Sequence, residues 1–246
     1  MAVIYNSGDY NGKGNIIVSP RIITNNLIFY LDGANKQSYP TSGNTWYDIS
    51  GRNRNATLYN NPTYRNQNGG ILSFNDTTFQ YGETAVAEDI NRWTAESWVR
   101  INKSLVGKPT SIITGQYNLA TKLNFSLGTN ESPSFYRISA GFFDGGWRIA
   151  PGFTPTLFKW YHFAGTYDGA RVAFFVNGLL YSTLNYVGTP QSGGTFRICR
   201  RWDEVANNSI NFLNADVGSI RVYNIALTPT QILQNYSATA SRFDIL

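Results

Sequence analysis

The chain carries fifteen carboxylates, one histidine and one cysteine, and their spacing limits the chemistry open to it. Glycoside hydrolysis needs two carboxyl groups about 5–5.5 Å apart for retention or about 6.5–9.5 Å apart for inversion. A strand supplies the close pair when acids stand at i and i+2 on one face. Glu96 stands on a predicted strand, but its same-face neighbours are Thr94, Trp98 and Arg100, which reads as a surface ion pair Glu96–Arg100. Glu88 and Asp89 are adjacent and point apart. Catalysis by paired acids is therefore the third reading of this sequence. His162, between Tyr161 and Phe163, is the one candidate base for a nucleophile, and its setting reads as a packed, hydrogen-bonded core residue. A lone histidine excludes His-pair zinc sites. Cys199 excludes a disulfide within the chain and any Cys-based metal cluster; neighbouring arginines could lower its pKa, against the reading of a small core residue.

Oxygen ligands and flat rings are the other chemistry on offer. Calcium takes 6–8 oxygens from carboxylates, amides and backbone carbonyls. Asp32 with Asn35, Asp48, and Asp216 with Asn214 could supply them. No single Asp-rich loop exists, so such a site must be assembled from distant segments. The competing reading is that these aspartates bond their own backbone in turns. Trp147, Trp46, Trp202 and Tyr59, with Tyr64, fall in or beside predicted loops. An exposed indole or phenol ring offers an apolar face to the C–H side of a sugar, while Asn, Asp and backbone groups hold its hydroxyls. Trp147, just after Asp144-Gly145-Gly146, is the leading stacking residue. Trp98 and Trp160 read as core.

The elements that must position these groups are strands. Hydrophobic residues make up 42% of the 246-residue chain and charged residues only 14%, with Asn, Thr, Ser and Gly filling the difference. Such residues favour turns and β-surface over long helices. Leu123, Phe125 and Leu127 alternate with Asn124 and Ser126. Predicted strands follow at 135–143, 147–150, 160–167, 171–176 and 179–185, split by Asp144-Gly145-Gly146, Asp168-Gly169 and Asn177-Gly178. Asn-Gly and Asp-Gly between apolar runs are hairpin signals, and three in succession predict one meander. Further strands are predicted at 71–75, 94–101, 195–199 and 217–224. Thr228-Pro229-Thr230-Gln231 is a capping-box pattern for a short helix. The expected fold is all-β, a two-sheet antiparallel jelly roll with a C-terminal helical turn. Residues 1–26 read as a polar arm docking on a partner subunit, and 27–246 as one domain.

Several segments then resemble one family together. Leu27–Asn35 with Ser38-Tyr39-Pro40, Trp46–Gly51 and Asn55–Leu58 resembles the opening of laminin-G-like (concanavalin A-like) domains. Thr94–Val99 resembles their first long core strand, Trp160–Gly169 with Val176–Gly178 their central hairpin, and Asp216–Thr228 their closing strand. The resemblance runs over about residues 27–237 and is closest to stand-alone laminin-G-like proteins of tailed bacteriophages. It implies that the segment ends bearing Asp32, Asp48, Asp216 and Asn214 meet in one region, where calcium, not required, could assist. It also implies a non-enzymatic virion surface protein, a capsid decoration, fibre or attachment component with weak host-glycan recognition. A carbohydrate-binding tail adhesin is the alternative.

Charge and hydropathy agree with that setting. The net charge of +5 and pI near 9.3 are scattered apart from Arg52/Arg54 and Arg197, Arg200 and Arg201, and no basic-aromatic stripe predicts nucleic-acid binding. No apolar run approaches the ~20 residues that cross a bilayer, so no membrane insertion is expected. The opening residues lack the pattern of a secretion signal. The expected location is a virion surface after synthesis in a host cytoplasm, with other virion proteins, further copies of the chain and host polysaccharide as partners.

Overall fold

The computed structural model describes residues 20–87, 89–105, 107, 109–116, 123–130, 136–191, 194–201 and 211–243. Its strands are β1 (Leu27–Asp32), β2 (Thr45–Trp46), β3 (Ala56–Tyr59), β4 (Thr63–Arg65), β5 (Ile71–Phe74), β6 (Tyr81–Ala87), β7 (Trp93–Ile101), β8 (Ser111–Gln116) and β9 (Leu123–Gly128). They continue as β10 (Ile138–Phe143), β11 (Trp147–Phe153), β12 (Trp160–Tyr167), β13 (Arg171–Val176), β14 (Leu179–Asn185), β15 (Thr195–Ile198), β16 (Arg200–Arg201), β17 (Asn211–Phe212) and β18 (Ala215–Tyr223). Helix α1 (Pro229–Ser237) and a 3₁₀ turn (Ala240–Phe243) follow.

Two antiparallel sheets stack face to face. The first runs β14-β13-β12-β7-β18-β5-β4, with β1 beside the second half of β18 and β5 beside its first half. The second runs β11-β10-β9-β8-β15-β6-β3-β2, and β16 and β17 form a separate pair. Between the sheets, Phe29 meets Phe196 at 5.0 Å, Trp93 meets Phe125 at 5.7 Å and Phe142 meets Tyr167 at 4.5 Å. Ring contacts of this kind add about 0.5–1.5 kcal/mol beyond the area they bury. The expected all-β two-sheet sandwich is the fold observed.

The expected single meander is divided. β9, β10 and β11 pair in the second sheet, whereas β12, β13 and β14 pair in the first. The chain changes layer between Phe153 and Trp160 through Thr154-Pro155-Thr156, and a Pro removes the backbone donor that ladder continuation would need. Asn124 and Ser126 alternate as expected but are buried, so polarity marks the outward face of β9 without marking solvent.

The outer face of the first sheet is covered by the C-terminal segment. Thr228 caps α1 through both bonds of a capping box with Gln231, and Pro229 opens the helix. Trp98 stacks on Phe243 at 4.3 Å and on Tyr236 at 5.5 Å, and its Nε1 donates to Thr239 Oγ1 at 2.7 Å. Of the predicted arm, residues 1–19 lie outside the described residues. Its root packs on this same chain: Ile23 N donates to Asn235 Oδ1 at 2.7 Å, Tyr223 Oη to Ile23 O at 2.9 Å, and Gln234 Nε2 to Arg21 O at 2.7 Å.

Candidate functional site

The second sheet carries a straight polar row on its outer face. Cross-strand pairing aligns Thr45, Thr57, Glu83, Arg197, Thr114 and Ser126, while Leu58, Ile198, Ile113 and Leu127 turn into the core. At its centre Arg197 Nε lies 2.9 Å from Glu83 Oε1 and Arg200 Nη1 lies 3.5 Å from Glu83 Oε2, with Thr195 Oγ1 donating to Oε1 at 2.7 Å. Burial pulls the Arg197 guanidinium below its ordinary pKa against the attraction of Glu83. Arg201 Nη1 donates to Asn130 Oδ1 at 2.9 Å and to Thr129 O at 3.3 Å.

An aromatic surface stands at each end of this row. At the β3–β6 end, Tyr59 and Tyr81 stack at 4.5 Å with 7° between planes, and the Arg200 guanidinium lies 4.3 Å over Tyr81. Tyr59 is 41% exposed. At the β11 end, the Arg201 guanidinium lies 4.2 Å from the Trp147 ring centre, and Trp147 is 36% exposed. Each exposed ring is thus oriented by a guanidinium or a second ring behind it. The arrangement can stack the apolar face of a sugar ring at either end. Between the ends Arg197, Arg200, Arg201, Thr114 and Ser126 are buried, so the surface open to a ligand is the two ring ends with exposed Thr57 and half-buried Glu83.

Of the four sugar-stacking residues expected from sequence, Trp147 and Tyr59 lie on this face. Trp202 lies outside the described residues. Trp46 is a correction: it is 0% exposed and belongs to the core, because the pairing of β2 with β3 sets it opposite Ala56 on the inward face. Sequence reading passed over Tyr81 and Glu83. Their signal was strand alternation with Gly82 and Thr84, which puts them on the face of Tyr59 and Arg197.

The expected calcium ligands are also corrected. Asp32 accepts from Arg242 Nη1 at 3.0 and 3.1 Å and from Ala34 N. Asp48 accepts from Tyr30 N, Ser50 N and Arg54 N. Asp216 binds Arg100 at 2.6 Å and accepts from Ser73 Oγ, and Asn214 Nδ2 donates to Asp76 Oδ1 at 3.1 Å. Asp48 forms the turn that was the competing reading; Asp216 forms an ion pair instead. No group of three or more His, Cys, Asp or Glu is placed to hold a metal among the described residues. These four residues do not fit calcium.

Glu96 is not on the surface with Arg100. It is fully buried under α1, 2.5 Å from Arg221 Nε and 3.5 Å from His162 Nε2. Burial pushes its carboxyl up, yet Arg221 and His162 outweigh this and hold it below the ordinary value. His162 is buried as expected, but neither ring nitrogen has a hydrogen-bond partner. The Cys199 thiol is buried and pushed well above its usual pKa, first by burial and then by Asp216, so it is not activated by the neighbouring arginines.

Similarity to known proteins follows the same lines. Domain 4 of an extracellular arabinanase from Geobacillus stearothermophilus, solved with arabinotriose, superposes with a TM-score of 0.65 at 15% identity over 86% of this chain and 98% of that one. The receptor-binding domain of botulinum neurotoxin type G gives 0.63 at 14% identity over 86% and 51%. A sialidase from Trypanosoma rangeli gives 0.59 at 16% identity over 91% and 34%. The chain thus spans about half of the neurotoxin domain and a third of the sialidase. No curated protein sequence matches. A family model described as the concanavalin A-like lectin/glucanases superfamily matches residues 74–233, from the end of β5 through the first turn of α1. The chain belongs to the concanavalin A-like lectin/glucanase superfamily.

Proposed function

We propose that this chain is a non-enzymatic glycan-recognition protein that binds saccharide on the outer face of its second sheet. The observation that carries the reading is the half-open Trp147 ring held on the Arg201 guanidinium at one end of a polar row, with the Tyr59–Tyr81 stack at the other. Two structural neighbours support it by what they hold, an arabinanase domain with arabinotriose and a sialidase with sialic acid. A binding role is favoured over hydrolysis because Glu83 is the one carboxylate in the row among the described residues, and two cations engage it, whereas hydrolysis requires a second acid at a set distance. The bearer we favour is a tailed-bacteriophage virion, on which the domain serves as a decoration or attachment component joined to other virion proteins through the part of the N-terminal arm ahead of Pro20. The sequence resemblance supports this setting.

Glycan-array binding tests the site. Trp147→Ala and Tyr59→Ala should each lower retention on the best glycans about tenfold, the cost of one stacked ring, with a fall in melting temperature no larger than the lost Arg201 or Tyr81 contact accounts for. Retention unchanged in the double variant would end the reading. Reducing-sugar release should stay at background; turnover that disappears in Glu83→Gln would restore the hydrolase.

A further inference from the structure

Two phenylalanines are held at loop tips in backbone conformations that bulky side chains avoid. Phe79 has φ 56° and Phe158 φ 62°, in the left-handed region where a non-glycine aromatic is a genuine outlier. Such strain persists when the surroundings enforce it and clusters at functional positions. Here the backbone is pinned: Phe158 N donates to Ile101 O at 2.8 Å, and Asn60 Nδ2 donates to Phe79 O at 2.7 Å. The Phe79 ring leans on Phe212 at 5.4 Å, whereas no ring contact holds Phe158 among the described residues, and both stay largely open. Phe158 is 67% exposed and Phe79 51%, with Leu157 exposed beside Phe158.

Both tips leave the same end of the sandwich. Ile101, which anchors Phe158, pairs with Ala215, and Ala215 pairs with Phe74, the last residue before the loop bearing Phe79. Lys103 Nζ to Asp76 Oδ2 at 2.6 Å and Asn214 to Asp76 tie the intervening loops together. Among the described residues at this end, Arg65, Arg100, Lys103 and Lys159 stand against Asp76 and Asp216, each of which is already held by a cation; Asp32 is matched by Arg242. Protruding aromatic tips with surplus positive charge suit a bilayer interface, which yields to any apolar projection and carries anionic headgroups. A protein partner would need a pocket matched to each tip. A search for long apolar runs cannot see such tips, so the absence of a spanning segment does not bear on them.

We infer that this rim is a docking surface for an anionic lipid bilayer, with Phe79 and Phe158 as pre-set anchors entering the headgroup layer. It does not rest on the glycan reading: Phe158 lies apart from both ring ends of that site, although Phe79 reaches the Tyr59–Tyr81 pair through Phe212. Sedimentation with phosphatidylcholine vesicles containing one-quarter phosphatidylglycerol tests it, beside pure phosphatidylcholine vesicles. The chain should pellet with the anionic vesicles, less at high salt. Phe158→Gly should lower partitioning about tenfold, as expected for one lost aromatic anchor. Because glycine accepts φ 62° freely, that variant should also melt higher, so its loss of binding cannot be unfolding. The Phe79→Gly/Phe158→Gly double variant should not pellet. Equal pelleting of wild type and double variant, or none of wild type with anionic vesicles, overturns the inference. So does a wild-type dimer in light scattering that the double variant dissolves, since the tips would then meet a second copy. Unchanged glycan-array binding of Phe158→Gly keeps this surface distinct from the sheet face.

Discussion

Asn235 shows how one side chain can join three parts of a fold. Its Oδ1 accepts from Ile23 N, and its Nδ2 donates to Glu96 Oε1 and to Tyr223 Oη at 2.9 and 3.0 Å. Glu96 and Arg221 beneath it are charged and buried, and such a cluster is costly to break on one side only. Glu96→Gln leaves Arg221 without its carboxylate, and removing one member of a buried pair costs about 3–5 kcal/mol. We expect chemical denaturation to show a loss of that size, against no measurable loss for Lys103→Ala at the exposed pair with Asp76. His162 gives the cluster a pH response. Burial, opposed by Glu96, holds its imidazole below the ordinary value of 6.5, so the folded chain binds that proton less readily than the unfolded chain. Stability is then full above about pH 6.5 and declines as pH falls below it. Melting temperature measured from pH 7.5 to 5 should drop in the wild type and drop less in His162→Leu. Equal slopes would remove the histidine from the account. Glu96 acts in a lower window, below its ordinary value of 4.5, which keeps the two effects separable.

Turn chemistry made individual strands legible at the scale of elements, but not their membership of sheets. β12, β13 and β14 match their predicted bounds because Asp168-Gly169 and Asn177-Gly178 punctuate them, with Gly169 at φ 100° and Gly178 at φ 78°. Gly178 also lies against Tyr236, where an added Cβ would stand 3.0 Å from the ring. Gly178→Ala therefore meets both backbone strain and α1, and thermal unfolding should show a loss of about 1–3 kcal/mol. Thr228→Ala removes the helix cap and should cost about 1 kcal/mol. Pro155 marks a break before Trp160 but not a change of layer, since which sheet a hairpin joins depends on long-range packing. Trp46 was misread for a related reason. Its flanks, Ser42-Gly43-Asn44 and Tyr47-Asp48, look like loop, yet two residues of strand pairing with Ala56 and Thr57 turn the indole inward. Trp147 and Tyr59 were legible because exposed rings beside turns keep their local signature, whereas Tyr81 becomes part of the site only through its cross-strand partner.

At the scale of the whole molecule, the charges that would have built a calcium site are instead matched with arginines across the first sheet. Asp32 with Arg242 and Asp216 with Arg100 fasten the C-terminal segment and β18 to their neighbours. Treatment with EDTA should consequently leave both the melting temperature and glycan retention unchanged. A fall of more than a few degrees, restored by calcium, would show that ligands beyond these residues complete a site.

The clamp of Arg21 and Ile23 onto α1 has a practical outcome. Backbone entering the domain and backbone leaving it toward Phe243 run over one face, side by side. Such a unit can be spliced into a loop of an unrelated host, or strung between two neighbours, without prying that host apart.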